Sequence, residues 1–336
     1  MTQPTTLDLG VGTGSRAIDQ ILEPGALRTG ISAVVPVYRS AEILPELCQR
    51  LRNVLEQLTP TFEIVLVEDS SPDRSWSVIT ELAESDPRIR GIRLRRNYGQ
   101  HNALLCGLRA ARYDVTVTLD DDLQNPPEEI EKLLSLLTSD VDVVYGKPIA
   151  EAHGLFRNMA SRITKIALQE AMGAEVARHV SAFRAFRTSL REAFGGYRGP
   201  SVSVDVLLTW GTTRFAHTAV RHMPRQSGES GYTFRKLLTH ALTLVTGFST
   251  LPLQIASFVG FVFTAFGFVV LAYVIGAFII YGGDTVPGFA FLASIVAIFS
   301  GAQLFALGII GEYLARIHFR SMDRPTYVVR QTTVEE

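Results

Sequence analysis

YDVTVTLDDDLQNPPEEI, residues 113–130, decides the fold. Alternating Val115, Val117 and Leu119 fit a half-buried strand, and Pro126-Pro127 before EEIEKLLSLL fits a helix opening at the position that proline favours. The carboxylates between them therefore lie on a strand-to-helix loop. Asp120 and Asp122 are two apart and Gln124 two further on, so an extended loop turns all three oxygen-bearing groups the same way. Three hard oxygen ligands on one side suit Mg²⁺ or Mn²⁺ with positions left open for a diphosphate. An acidic turn that only caps the following helix is the other reading of the triplet.

Upstream, the chain alternates strand and helix. ISAVVPVY (31–38) reads as a strand, EILPELCQRLRNVLEQL (42–58) as a helix, and FEIVLVEDSSPD (62–73) as a strand with its loop. WSVITELAES, RIRGIRLRRN and HNALLCGLRAA continue the alternation into the acidic motif. A β-α-β-α-β-α-β order predicts a mainly parallel sheet with ligands at the carboxyl ends of its strands. The loops after Val37, Val67 and Leu119 converge there, presenting Pro36 and Tyr38, Glu68 and Asp69, and the acidic triplet. Asp69 is placed to accept from a base N–H or a ribose hydroxyl, or else to form an Asx turn with Ser70-Ser71.

Far downstream, residues 253–281 and 286–311 contain no charged side chain. A bilayer span needs about 20 apolar residues, so each run is long enough to cross. The link Gly282-Gly283-Asp284-Thr285 carries no Lys or Arg, whereas Arg225, Arg235 and Lys236 precede the first run and Arg316, Arg320 and Arg324 follow the second. The positive-inside rule then puts both termini and the acidic loop in the cytoplasm of a multi-pass inner-membrane protein.

Composition agrees with a soluble domain on a membrane tether. The net charge of the 336 residues is −1, which carries no nucleic-acid footprint. Residues 147–240 nevertheless hold fourteen Lys/Arg against six Asp/Glu, a basic segment beside the membrane that attracts anionic headgroups or a lipid-linked phosphate. Within it, 153–173 places Phe156, Met159, Ile163 and Ile166 on one face with Arg157, Arg162 and Lys165 at its edges, an interfacial amphipathic helix. Cys48 and Cys106 have no metal-ligand spacing and are expected as reduced, packed thiols. Residues 1–30 lack a continuous apolar run, and Gly10, Gly12 and Gly14 fail the dinucleotide-loop spacing.

The string PVY, VEDSSPD, NYGQHNALLCG and DDDLQNPPEEI resembles the family-2 glycosyltransferases that load a sugar onto a polyprenyl phosphate. SAFRAF (181–186), SVDVLLTW (203–210), SGESGYTFRKL (227–237) and GAQLFALGIIGEYLARI with RPTYVV (301–329) extend the resemblance to bacterial undecaprenyl-phosphate aminoarabinose and glucosyl transferases, relatives of dolichol-phosphate mannose synthase. The resemblance implies a GT-A (Rossmann-like) α/β domain with a C-terminal two-helix transmembrane hairpin. It implies a nucleotide-diphosphate sugar, UDP-linked, as donor, a metal on Asp120, Asp122 and Gln124, and nucleotide contact at Asp69. Two departures stand out: such relatives commonly have Asn-Glu where this chain has Arg39-Ser40, and Ala where it has Asp121. Asp121, pointing opposite to its neighbours in an extended loop, reads as a surface carboxylate.

The division expected is a 1–30 tail, a 31–234 cytoplasmic catalytic domain, a 235–251 juxtamembrane amphipathic helix, two spans within 252–313 and a 314–336 cytoplasmic tail. Arg157, Arg184, Arg225 and Lys236 are the candidates for the acceptor phosphate, which needs cationic partners at the membrane surface. Asp205, opening SVDVLLTW, is a general base, an orienting group for Arg184 or a helix cap. The YVV segment near 327–329 has no local strand to pair with, so it is expected to dock on a neighbouring subunit of a homotetramer. The competing functions are a processive polysaccharide synthase, poorly matched by two spans and the lack of Q-x-x-R-W near Trp76 or Trp210, and an inactive membrane scaffold, which intact Asp120, Asp122 and Gln124 disfavour.

Overall fold

The computed structural model describes residues 28–149, 179–199, 202–223, 251–281, 289–322 and 324–334. Most of the N-terminal tail, the 153–173 helix, residues 235–250 of the juxtamembrane helix, and with them Arg157, Arg225 and Lys236, lie outside the described residues.

Eight strands form one sheet: β1 (Arg28–Val37), β2 (Phe62–Glu68), β3 (Ile89–Leu94), β4 (Tyr113–Thr118), β5 (Val143–Pro148), β6 (Arg184–Arg187), β7 (Phe215–Val220) and β8 (Val329–Thr332), in the order β7-β5-β6-β4-β1-β2-β3-β8. The four central strands β4, β1, β2 and β3 run parallel, as the alternation predicts. Their residues are buried on both faces, which is why β1 and β2 read as near-continuous apolar runs rather than strict alternations. Helices α1 (Leu44–Leu58) and α2 (Ser75–Ser85) cover one face. The other is covered by α3 (Gln100–Ala110), the 3₁₀ segment Thr188–Phe194 and α5 (Val204–Gly211). Leu44, Leu47, Cys48, Leu51 and Leu55 give α1 the buried stripe its spacing predicts. Cys48 and Cys106 are free and buried, as expected, and burial pushes both thiols up to about 12.

After β4 the chain makes a 3₁₀ turn, Pro127–Glu129, before the short α4 (Ile130–Ser135). The strand order reverses between β1 and β4, since β1 hands on to β2 on one side while β4 lies on the other. In doubly wound sheets such a reversal opens a crevice beyond the strand ends, and ligands bind there. Pairing of β1 with β4 extends to Val34 and Thr118, while pairing with β2 continues to Val37 and Glu68. Pro36 falls where the β4 ladder has ended, so its missing N–H removes no bond to β4.

The tail corrects one expectation. Instead of waiting for a neighbouring subunit, β8 pairs antiparallel with the chain's own β3, and Tyr327 is buried against α3, its hydroxyl 3.4 Å from Arg109 Nη1. Local sequence carries no sign of this pairing, because β8 follows β3 only after the other strands and both apolar helices.

Helices α6 (Leu251–Tyr281) and α7 (Phe289–Ser321) are long and apolar enough to cross a membrane, within Leu253–Ala277 and Ile298–Ala315. They touch through an edge-to-face contact of Phe263 and Phe299, ring centroids 5.9 Å apart. The uncharged stretch of each, 253–281 and 289–311, has no polar face, and in α6 side chains such as Phe258, Phe268 and Ile279 stand exposed.

Candidate active site

Four loops at the carboxyl ends of β1 to β4 build the site, and each is tied to another by hydrogen bonds. In the first loop, four successive backbone N–H groups are captured. Tyr38 N donates to Asp121 Oδ2 (2.9 Å), Arg39 N to Ser71 Oγ (2.8 Å), Ser40 N to Ser75 Oγ (3.1 Å) and Ala41 N to Asp73 Oδ2 (3.2 Å). Arg39 adopts φ 60°, a left-handed conformation unusual for a side-chain-bearing residue. Its guanidinium lies 5.4 Å from the Tyr38 ring centroid, and Tyr38 itself is 42% exposed.

The second loop begins with Glu68 and Asp69, both fully inside the fold. Glu68 accepts from Ser71 N and from Arg93 Nε (3.0 Å), a structural pair rather than a ligand-facing one. Asp69 accepts from Tyr98 N and Gly99 N, each at 2.7 Å, tying the third loop over the end of β2. Gly99, at φ +92°, makes the turn into α3 that a side chain would strain. The carboxylate expected to take a nucleotide N–H or hydroxyl thus already takes two backbone amides. Burial raises the Asp69 carboxyl above the ordinary range, against the pull of those two bonds.

The acidic loop is a turn, not an extended segment, because Leu123 sits at φ 57° with its side chain buried. The two-residue alternation assumed for 120, 122 and 124 therefore does not hold. Asp120 Oδ1 accepts from Gln100 Nε2 (2.5 Å), and Asp122, 9% exposed, accepts from Gln124 N (3.1 Å). Gln124 O accepts from Met223 N (2.8 Å), joining this loop to the segment after β7. Asp121 is not the surface carboxylate expected. It accepts from Tyr38 N and from Ser40 Oγ (2.5 Å), and burial raises its carboxyl above the usual range. Among the described residues no three His, Cys, Asp or Glu side chains gather as a metal cluster. A site here draws on two carboxylates and an amide of one loop, an all-oxygen set whose chemistry fits Mg²⁺ or Mn²⁺.

Behind the acidic loop lies a buried polar row. Thr118, Arg184 and Tyr145 are neighbours across β4, β6 and β5. Arg184, 1% exposed, donates through Nε to Thr118 Oγ1 (3.0 Å) and through Nη1 to Asp205, which also accepts from Tyr145 Oη (3.1 Å). Burial works against the Arg184 charge, but Asp205 and then Tyr145 more than offset it, and Asp120 adds to the same effect. Of the three roles open to Asp205 in the sequence, the geometry displays the orienting one. Arg184 is enclosed rather than presented on the membrane side, because its partner 21 residues away turns it inward.

The sequence points Asp121 to the surface and gives no sign of the roles of Gln100 or of the Ser71, Asp73 and Ser75 group. VEDSSPD was visible as a motif, but nothing in it indicated that its hydroxyls would serve another loop.

A doubly wound sheet with an acidic loop at its reversal point defines the GT-A class of glycosyltransferase domains. Residues 32–195 match the model of glycosyl transferase family 2. The undecaprenyl-phosphate 4-deoxy-4-formamido-L-arabinose transferase of Yersinia enterocolitica is 34% identical over 308 residues, 91% of this chain and 94% of that protein. The enzyme of the same name from Serratia proteamaculans is 35% identical with the same coverage. A crystal structure of glucosyl-3-phosphoglycerate synthase from Mycobacterium tuberculosis, with Mn²⁺, UDP-glucose and phosphoglyceric acid, superposes with a TM-score of 0.49 at 16% identity, covering 65% of this chain and 78% of that one. The chain belongs to glycosyl transferase family 2.

Proposed function

We propose that this enzyme transfers a sugar from a nucleotide-diphosphate donor, UDP-linked, to the phosphate of a polyprenol, with inversion, at the cytoplasmic leaflet. The observation that carries the reading is the likeness, over 91% of the chain, to transferases whose name specifies undecaprenyl phosphate. That span is long enough to include sheet and hairpin together. Asp120, Asp122 and Gln124 are the residues that would hold Mg²⁺ or Mn²⁺, and a metal there would supply positive charge to a leaving diphosphate. A phosphomonoester has a second pKa near 6, so the acceptor is already an oxyanion at neutral pH and needs placement more than a base. Arg157, Arg225 and Lys236 remain the proposed contacts for it. Arg184, locked by Asp205 beside the Asp120 loop, acts as a fixed positive charge behind the diphosphate.

Membranes carrying the protein, incubated with a panel of UDP- and GDP-sugars and polyprenyl phosphate, test the reading. Labelled sugar must enter the lipid-phosphate fraction only when both substrates and a divalent cation are present. Absence of transfer with every donor refutes it. For topology, a cysteine placed at Thr285 is expected to label from outside intact cells and one at Thr332 is not. Labelling of both from outside would contradict cytoplasmic termini. A homotetramer is the proposed assembly. Its support is the family resemblance, now that the tail is engaged by its own sheet, and a monomer by native mass measurement in lipid would end that proposal.

A further inference from the structure

Two side chains from loops far apart in sequence touch each other across the crevice. Ser40 and Asp121 come from loops on opposite sides of the β1–β4 reversal, and Ser40 Oγ donates to Asp121 Oδ2 at 2.5 Å across it. The same carboxylate oxygen takes Tyr38 N. Between these two anchors lies Arg39, held at φ 60° with its own N–H on Ser71 and its guanidinium over the Tyr38 ring. With the amides of 38 to 41 all engaged, what the first loop offers a ligand is the side chains of Tyr38 and Arg39, both exposed. Left-handed backbone at a side-chain-bearing residue is strained and persists only where its surroundings over-determine it. Here three neighbours do so.

We propose that Asp121 is a positioning residue for donor binding: with Ser40 it latches the first loop across the crevice, so that Tyr38 and Arg39 are presented to the nucleotide side of the donor in one conformation. The proposal rests on the donor-site reading above. It separates Asp121 from Asp120 and Asp122, whose proposed partner is the metal. A carboxylate that accepts two hydrogen bonds can be replaced by an amide oxygen, whereas a charged metal ligand cannot.

The test uses full-length protein in lipid nanodiscs, as Asp121→Ala, Asp121→Asn, Ser40→Ala and the double Ser40→Ala/Asp121→Ala. Losing a hydrogen bond to a charged acceptor corresponds to about 10-fold. Asp121→Ala is therefore expected to raise the donor KM by about that factor, with kcat and the Mg²⁺ requirement little changed. Ser40→Ala shifts KM in the same direction by less. The double variant is no worse than Asp121→Ala alone, because the two act as one unit. Asp121→Asn restores KM to near the unmodified value.

A second readout needs no turnover. Tryptic cleavage after Arg39, followed by mass spectrometry, accelerates in Asp121→Ala and returns to the slow rate in Asp121→Asn. UDP with Mg²⁺ binds more weakly to Asp121→Ala in a direct titration. Unchanged cleavage and unchanged UDP affinity in Asp121→Ala overturn the latch. Asp121→Asn as impaired as Asp121→Ala, with a raised Mg²⁺ requirement, overturns it in favour of metal ligation. If instead the unmodified protein transfers no sugar yet cleavage and UDP binding respond as expected, it is the polyprenyl-phosphate reading that fails and the latch that stands.

Discussion

The carboxylates at the carboxyl ends of the strands and those on the flanks of the domain are set in opposite ways. Glu68 and Asp69 are buried and Asp121 is half-buried, and lost solvation lifts each above the ordinary carboxyl range despite the hydrogen bonds they accept. On the flanks, Asp86 is held down by hydrogen bonds from Arg88 and Glu128 by those from Arg50. Asp73 is the exception at the site end: its bonds from Ser71, Ser75 and Ala41 outweigh its burial and lower it. A raised carboxyl costs stability at neutral pH and a lowered one contributes it. The difference teaches where this fold places strain. Its periphery is charge-paired, while the loops around the crevice enclose carboxylates whose partners do not offset their lost solvation, and hold three left-handed residues, Arg39, Ser70 and Leu123.

The sharpest way to break that contrast is at Asp122. Asp122→Ala is expected to cut metal-dependent transfer by about 10²–10³-fold or more while the thermal unfolding midpoint stays put, since a loop carboxylate contributes little packing. Near-normal turnover, or full activity in excess chelator, would remove Asp122 from the metal site. Next in size is the buried row. Asp205→Ala strands the Arg184 charge inside the sheet, which costs roughly 3–5 kcal/mol of stability by chemical denaturation. The double variant Arg184→Met/Asp205→Leu should recover most of that loss yet stay impaired in transfer. If it recovers both, Arg184 is structural and nothing more.

Smaller effects are expected away from the crevice. Tyr327→Ala removes a buried ring that pins β8 to α3 and should cost about 3 kcal/mol with catalytic constants unchanged in the folded fraction. A loss of donor affinity instead would tie the tail to the site. Smallest is Asp86→Asn, at most about 1 kcal/mol because Arg88 is partly solvated. The folded carboxyl lies below its unfolded value of 3.8, so this contribution is complete above that value and disappears as pH falls through the folded one. Equal destabilisation at pH 7 and at pH 2 would show that packing rather than charge is at work.

Much of the fold was legible because its signals are local. The apolar runs of β1, β2 and β4, the Leu stripe of α1 and the two uncharged runs each announce themselves within some thirty residues; the structure reproduces the strands and α1 within a few positions and carries the second apolar helix on to Ser321. The site was legible as a place but less so as a geometry. Asp120, Asp122 and Asp69 do lie at the strand ends, yet Leu123 at φ 57° cancels the alternation from which their directions were inferred. Asp121 finds Ser40 across 81 residues, and Gly91 N finds Thr333 Oγ1 across 242. Contacts of that separation leave no periodic trace, so the latch and the closing strand had to be seen.

That closing strand has a consequence for how the molecule is made. During synthesis β3 emerges early, whereas β8 is translated only after both apolar helices. Until then the β3 edge shows a row of unpaired N–H and C=O groups, the kind of surface on which chains stick together. On the proposed topology, the tail returns to the cytoplasm only if the second helix has been threaded back through the bilayer. On that topology, capping of the sheet waits for the hairpin, since β3 gains its partner only when residues 329–332 lie on the same side of the membrane as the sheet.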